Sequence, residues 1–384
     1  MGHALSNSLA TSRKRPNHIP ALDGVRLVAV GLVILHHITS GAHTSFFLHL
    51  INMQHDNGIG PPLFFVLSGT LLTKVILDAR NAENRYRNFL LRRALRIFPL
   101  YFGYLGLLTL ATWVETGKLP SYLWVFALFS QNIFVYYAGH TSSVFHTYHL
   151  WTIAVQDQFY LIWPLLLWRC NSNRQMRLLC SAGIVLSVLS HVVLLYPGFP
   201  QEYAMRSLPA VAGCMCLGGL LALEGREKTI LTPIFLKSLI PLSLVCALWM
   251  WHGLVFMSPL GSVVGYQLVA LTCAAVIAWA LQPTSMIART LGSNFFATGG
   301  KKYAFGMYML HPCLLNFVDL LGIHSLAVRL TLFLASTIVL SGLSYRFYES
   351  PFLHIQVGGR KKRSSEAAAP KSIGTTFANP SLSS

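Results

Sequence analysis

The sequence predicts an all-α protein, a polytopic membrane bundle of about ten transmembrane helices. Three observations carry this. Of 384 residues, 54% are hydrophobic and only 11% are charged, against about 25% charged in a soluble domain. Apolar stretches recur along most of the chain, each near the ~20 residues that a hydrocarbon core requires. The basic residues, which give a formal net charge of +17, also sort to one side of the bundle that those stretches define.

Taken in order, spans are expected near residues 22–44, 59–77, 95–114, 149–168, 177–196, 208–223, 235–252, 262–281, 303–321 and 327–347. The segment 121–137 is also apolar and aromatic, but it carries Ser130-Gln131-Asn132, and charge decides its fate. With a cytoplasmic N-terminus and ten spans, all 29 Lys and Arg residues fall on the inner side except Lys118, Arg206 and Arg329. An eleventh crossing would invert everything after it and destroy that asymmetry. Residues 121–137 therefore read as a re-entrant or interfacial segment in a long outer loop, 115–148, and both termini are cytoplasmic.

The flanks differ from the bundle. Residues 1–18 form a polar segment around Arg13-Lys14-Arg15, with no cleavable signal sequence expected. The membrane domain covers 19–352. Residues 353–384 carry Arg360-Lys361-Lys362-Arg363 and then turn rich in Ser, Ala, Pro and Thr, the composition of a disordered cytoplasmic tail whose basic start lies on anionic lipid. The positive charge is explained by topology and needs no nucleic acid. The seven scattered cysteines read as small buried residues, and no metal site is expected. No internal repeat is visible, which counts against a transporter built from inverted halves.

Polar residues inside apolar spans are costly and mark functional paths. Arg26 and His37 lie eleven residues apart in the first span, about 20° past three full turns, so they share a face with roughly 16 Å of helix axis between them. Imidazole acts as a general base near neutral pH, while Arg26, near the basic rim, suits an anion or lipid phosphates. At the start of the third span, Arg93 and Arg96 share a face at i,i+3, and two guanidinium forks fit phosphate oxygens. There Pro99 reads as a first-turn proline. In the fourth span, His149, Thr152, Gln156 and Tyr160 form a polar stripe flanked by Asp157, which must face protein or water rather than lipid. Leu63-Phe-Phe-Val-Leu-Ser68-Gly69 reads as close helix packing. Tyr308-Met-Leu-His311-Pro312 adds a second intramembrane histidine, and Arg346 and Glu349 read as a structural i,i+3 ion pair.

In order, these pieces resemble the membrane-bound acyltransferase 3 family across roughly residues 19–352. The matching segments are Leu22-Asp-Gly-Val-Arg26 with His37, Leu63–Gly69, Arg92–Pro99, His149–Tyr160, Tyr308–His311 and Ser344–Phe352. Three positions depart from the family's usual pattern: Pro61-Pro62 replaces Val-Asp, Gln156-Asp157 replaces Glu-Glu, and Thr152 replaces Ser. The resemblance implies an integral membrane O-acyltransferase, of the bacterial inner (plasma) membrane, acting as a standalone membrane unit or with a separate partner. It would carry an acyl group, acetyl foremost, from acyl-CoA to a hydroxyl of a carbohydrate, glycolipid or other envelope or secreted acceptor. By the resemblance, His37 is the catalytic histidine, as base or as transient acyl carrier, with Arg26 its partner. Arg93 and Arg96 handle the acyl donor, and acetyl-CoA is a co-substrate rather than a resident cofactor. His149, Gln156, Asp157 and Tyr160 would support the site. A transporter or flippase of an acylated sugar or lipid is the alternative.

Overall fold

The computed structural model describes residues 18–39, 59–138, 147–194, 206–227, 261–323 and 325–355, with isolated positions between 234 and 245. Among these residues every regular element is helical. Residues 1–17, most of the expected span 235–252, and the tail beyond residue 355 lie outside them.

The first helix, α1 (Pro20–Thr39), opens on a proline and carries Asp23 in its first turn, both favoured where backbone N–H groups lack partners. Helix α2 (Gly60–Asp78) follows. Its Pro61 and Pro62 fall in the first turn, where a missing N–H costs nothing, so the chain accepts them without a break. Helix α3 (Arg85–Thr116) has 32 residues. At about 1.5 Å per residue it outruns a ~30 Å hydrocarbon core, so the span is longer than the expected 95–114 and starts ten residues earlier. Pro99 consequently sits inside the helix, not in its first turn. Gly117, at φ +68°, caps the far end by donating to the Trp113 carbonyl at 2.8 Å, the left-handed stop that glycine allows.

Two short helices come next, α4 (Leu123–Ala127) and α5 (Gln131–Ala138). Neither can cross a bilayer, in line with the re-entrant or interfacial reading. They fold back on the bundle through polar contacts: Gln131 donates to Tyr101 Oη at 3.1 Å and to the Leu150 carbonyl at 2.9 Å. Gln158 donates to Asn132 at 2.8 Å and to the Phe129 carbonyl at 2.9 Å. A single 3₁₀ turn, Tyr148–Leu150, leads into α6 (Trp151–Arg169). Helices α7 (Asn173–Leu194), α8 (Leu208–Glu227) and α9 (Tyr266–Ala280) follow. Short α10 (Met286–Leu291) and α11 (Asn294–Thr298) then precede α12 (Ala304–Leu320), α13 (Leu326–Leu343) and the short α14 (Ser350–Leu353).

Six of these helices are long and apolar enough to cross a membrane: Pro20–Ile38, Gly60–Asp78, Arg85–Thr116, Asn173–Val193, Val263–Ala280 and Ala327–Leu353. The segments 149–168, 208–223 and 303–321, where three further spans are expected, are helical as α6, α8 and α12 but fall short of that length or hydropathy, so six rather than ten spans are supported among the described residues.

Helix α2 is the hub. It packs against α1, α6, α8 and α9, and most of its residues are buried. Its crossing with α8 is backbone to backbone. A Cβ on Gly69 would fall 1.9 Å from the Met215 carbonyl oxygen, and one on Gly218 would fall 2.0 Å from that of Val66. Small residues allow such approach, and in a bilayer this packing replaces the hydrophobic drive that lipid cannot supply. Replacing Gly218 by Val should destabilise the purified protein by about 1–3 kcal/mol or prevent its accumulation. Gly342→Ala, where an added Cβ meets nothing within 4 Å, should leave the thermal midpoint in detergent unchanged. Equal midpoints for both variants would remove the glycine crossing as a determinant.

Candidate active site

The start of α1 is clamped between the end of α10 and the turn that follows α11. A Cβ on Gly24 would fall 2.0 Å from the Leu291 carbonyl oxygen, and one on Gly300 would fall 1.7 Å from that of Asp23. Within this clamp Asp23 accepts from Arg26 at 2.9 Å and meets His18 Nε2 at 2.6 Å, which fixes the direction of the Arg26 guanidinium one turn along.

Arg26 faces a cavity of about 650 Å³, including its open mouth, formed by α1, α2, α3, α6 and α12. Arg93 and Arg96 line the same cavity, as their shared face requires. Arg93 donates to Tyr160 Oη at 3.3 Å and lies over that ring at 4.5 Å. Arg96 makes no hydrogen bond or ion pair among the described residues. Three cations thus converge on one space, and among the described residues Asp23 is the only carboxylate bonded to any of them. The arrangement favours an anion with several oxygens.

Chain direction orders the rest of the lining. Arg26, Arg93 and Tyr160 mark one end; Val30, Phe64, Ile153 and Tyr308 mark the other. Gln156 lies between them and donates to Ser68 at 2.6 Å and to Tyr160. At the far end Tyr308 donates to the His149 carbonyl at 2.5 Å, and the Thr152 hydroxyl, 2.5 Å away, donates to Tyr308 in turn. The Tyr308 ring stacks parallel to Phe64 with centroids 6.4 Å apart.

Beyond Tyr308 is a group of imidazoles. His37 Nδ1 lies 2.7 Å from His311 Nε2. The two ring planes are 11° apart with centroids at 5.0 Å, the edge-to-edge geometry of an N–H···N bond. The His149 ring is 5.5 Å from that of His311. Among the described residues no group of three His, Cys, Asp or Glu could hold a metal ion.

The structure brings the sequence-nominated residues into two sets. Arg26 joins Arg93 and Arg96, not His37; the roughly 16 Å of helix between positions 26 and 37 keeps the two apart. Thr152, Gln156 and Tyr160 do form one stripe on α6, but His149 belongs to the preceding 3₁₀ turn. Asp157 turns off the stripe, and its Oδ2 is buried with no hydrogen-bond partner among the described residues.

The expected ion pair between Arg346 and Glu349 is not formed. Residues Ser344–Glu349 make a π-helix, in which a turn takes more than four residues, so positions three apart diverge while positions five apart meet. Ser344 accordingly donates to Glu349 at 2.9 Å. Glu349 is buried, whereas Arg346 is exposed and lies over Phe347.

The sequence singles out Tyr308 and His311 as a motif but does not show where they lie in the fold. His311 was visible as an intramembrane histidine, but nothing local shows that it meets a residue 274 positions away. Tyr308 sat in the same motif, and its role as the end wall of the cavity needs α2 and α6 in place.

Comparison with known proteins supplies the wider context. Residues 19–346 match the acyltransferase domain family Acyl_transf_3. The chain is 25% identical over 360 residues to the protein named "Putative peptidoglycan O-acetyltransferase YrhL" of Bacillus subtilis (strain 168), covering 87% of this chain and 55% of that one. It is 25% identical over 373 residues to the peptidoglycan O-acetyltransferase OatA of Listeria monocytogenes, covering 89% of this chain and 57% of that one. The chain therefore spans little more than half the length of these relatives. No solved structure matches it. The chain, whose described elements are helical and whose apolar helices gather three arginines and two bonded histidines, matches this family over residues 19–346 and belongs to the Acyl_transf_3 acyltransferases.

Proposed function

We propose that this chain is a multi-pass membrane O-acetyltransferase that takes an acetyl group from acetyl-CoA on the cytoplasmic side and delivers it to a carbohydrate hydroxyl. In this reading it crosses a bacterial inner membrane about ten times with both termini inside. The observation that carries the reading is the cavity with Arg26, Arg93 and Arg96 at one end and Tyr308, beside the histidine pair, at the other.

Coenzyme A presents several phosphate charges at one end and its thioester at the other. Arginine forks bind phosphate by paired charge-assisted hydrogen bonds, and Arg96 has its donors available. With the phosphates at the arginines, the thioester arm extends along the cavity toward Tyr308. His37 accepts the proton of the acceptor hydroxyl as its oxygen attacks the thioester carbonyl. The C–S bond then breaks, the acyl group stays on the acceptor oxygen, and the thiolate leaves to be protonated. Arg26 acts here as a donor anchor at a distance from the base. The named relatives make a peptidoglycan-type sugar the first acceptor to test, and family membership does not favour a transporter or flippase.

Two measurements test this. His37→Ala should lower acetyl transfer from labelled acetyl-CoA into envelope carbohydrate at least 100-fold, within the range general-base catalysis contributes; turnover at the wild-type level would defeat the assignment. Arg93→Ala/Arg96→Ala should weaken binding of coenzyme A at least tenfold, while dephospho-coenzyme A, with fewer charges, should lose less. Unchanged affinity for coenzyme A would remove both arginines from the donor site.

A further inference from the structure

His311 has no assigned part in the reaction, yet its Nε2 lies 2.7 Å from Nδ1 of His37. We propose that His311 is a positioning residue that fixes which nitrogen of His37 carries the proton and leaves Nε2 as the base. The inference rests on the reading of His37 as general base.

The backbone of α12 starts the argument. In an α-helix the Tyr308 carbonyl would accept from the N–H of residue 312. That residue is proline, which has no N–H, so the carbonyl needs another donor. His311 Nδ1 lies 2.8 Å from the Tyr308 carbonyl oxygen and 3.3 Å from that of Met307. A carbonyl only accepts, so Nδ1 of His311 carries hydrogen. In a neutral imidazole the other nitrogen then holds a lone pair. A doubly protonated His311 would place a charge at a side chain with 0% exposure, with no carboxylate bonded to it among the described residues. His311 Nε2 is therefore an acceptor, and the 2.7 Å contact makes His37 Nδ1 the donor.

The consequence passes to His37. With hydrogen on Nδ1, its Nε2 has the lone pair that removes a proton from a hydroxyl. Free imidazole prefers the opposite tautomer, so the contact has work to do. It also holds the ring in one plane, as the 11° between the two rings shows. When Nε2 takes the substrate proton, Nδ1–H continues to donate to His311 and the ring does not turn. The His311 ring ends at a backbone carbonyl, so it orients the base without carrying the proton away. A carboxylate does this in the Ser-His-Asp triad, where forcing the wrong tautomer costs about 10⁴ in kcat; a neutral imidazole supplies the orientation without the full charge.

The test uses the full chain in lipid nanodiscs, with acetyl-CoA as donor and ¹⁵N-histidine labelling assigned by difference against His37→Ala. In wild type, His37 should show hydrogen on Nδ1 and none on Nε2. In His311→Ala that signature should disappear, and kcat should fall on the order of 10²-fold or more with KM for acetyl-CoA within about twofold. His311→Gln places an amide oxygen where the imidazole has Nε2, so it should keep the tautomer and recover most of the rate. Wild-type turnover in His311→Ala would overturn the proposal, as would an unchanged His37 tautomer in that variant. If His311→Ala does not accumulate, His311→Gln decides alone: a folded Gln variant whose His37 carries hydrogen on Nε2 overturns it. Activity retained in His37→Ala defeats the general-base reading itself, whereas loss in His37→Ala with full activity in His311→Ala defeats only the role of His311.

Discussion

A polar side chain within a bilayer must find its partner inside the protein, because lipid offers none. This constraint organises the whole site. Arg93 turns to Tyr160, Gln156 to Ser68, Gln158 to Asn132, Tyr308 to His149 and His37 to His311. Each bond joins two different elements, and together they set how α1, α2, α3, α6 and α12 face one another. The apolar residues make these helices; the polar pairs choose their rotation. The glycine contact between α2 and α8 supplies the rigid side of the frame, so polar pairing can specialise in the cavity.

What could be read from the sequence follows from the range of the interactions. The all-helical membrane class rests on composition and apolar length, both properties of the chain alone. The shared face of Arg93 and Arg96 is helix geometry over three residues, and both line the cavity. The polar stripe on α6 is equally local, and its bonds to Ser68 and Tyr308 supply the partners that periodicity could only require. Arg346 and Glu349 show the limit of the same rule. The i,i+3 argument assumes an α-helix, and the chain widens into a π-helix there. Likewise the start of α3 was masked by its basic first turns, which hydropathy reads as loop although they continue the helix.

The separation of Arg26 from His37 clarifies the division of labour. They share a helix face, which invites the idea of a single catalytic pair. The structure instead gives each its own companions: arginines for one, an imidazole for the other. In the proposed function one helix carries a binding element and a reactive element at fixed spacing, and the rise of α1 sets the distance between them. A donor whose charged end and reactive end are separated by a long arm suits such a ruler. A small molecule with both groups adjacent does not.

The His311-Pro312 dipeptide carries a further consequence, for how the chain can change over time. Proline vacates the Tyr308 carbonyl, and the histidine occupies it. Restoring an N–H at position 312 would give that carbonyl its ordinary backbone partner and set the imidazole in competition for it. Replacing the histidine while keeping the proline would leave a buried carbonyl short of a donor. The two positions therefore form one inherited unit: drift at either site is penalised by the other, and natural variants should gain or lose the two residues together.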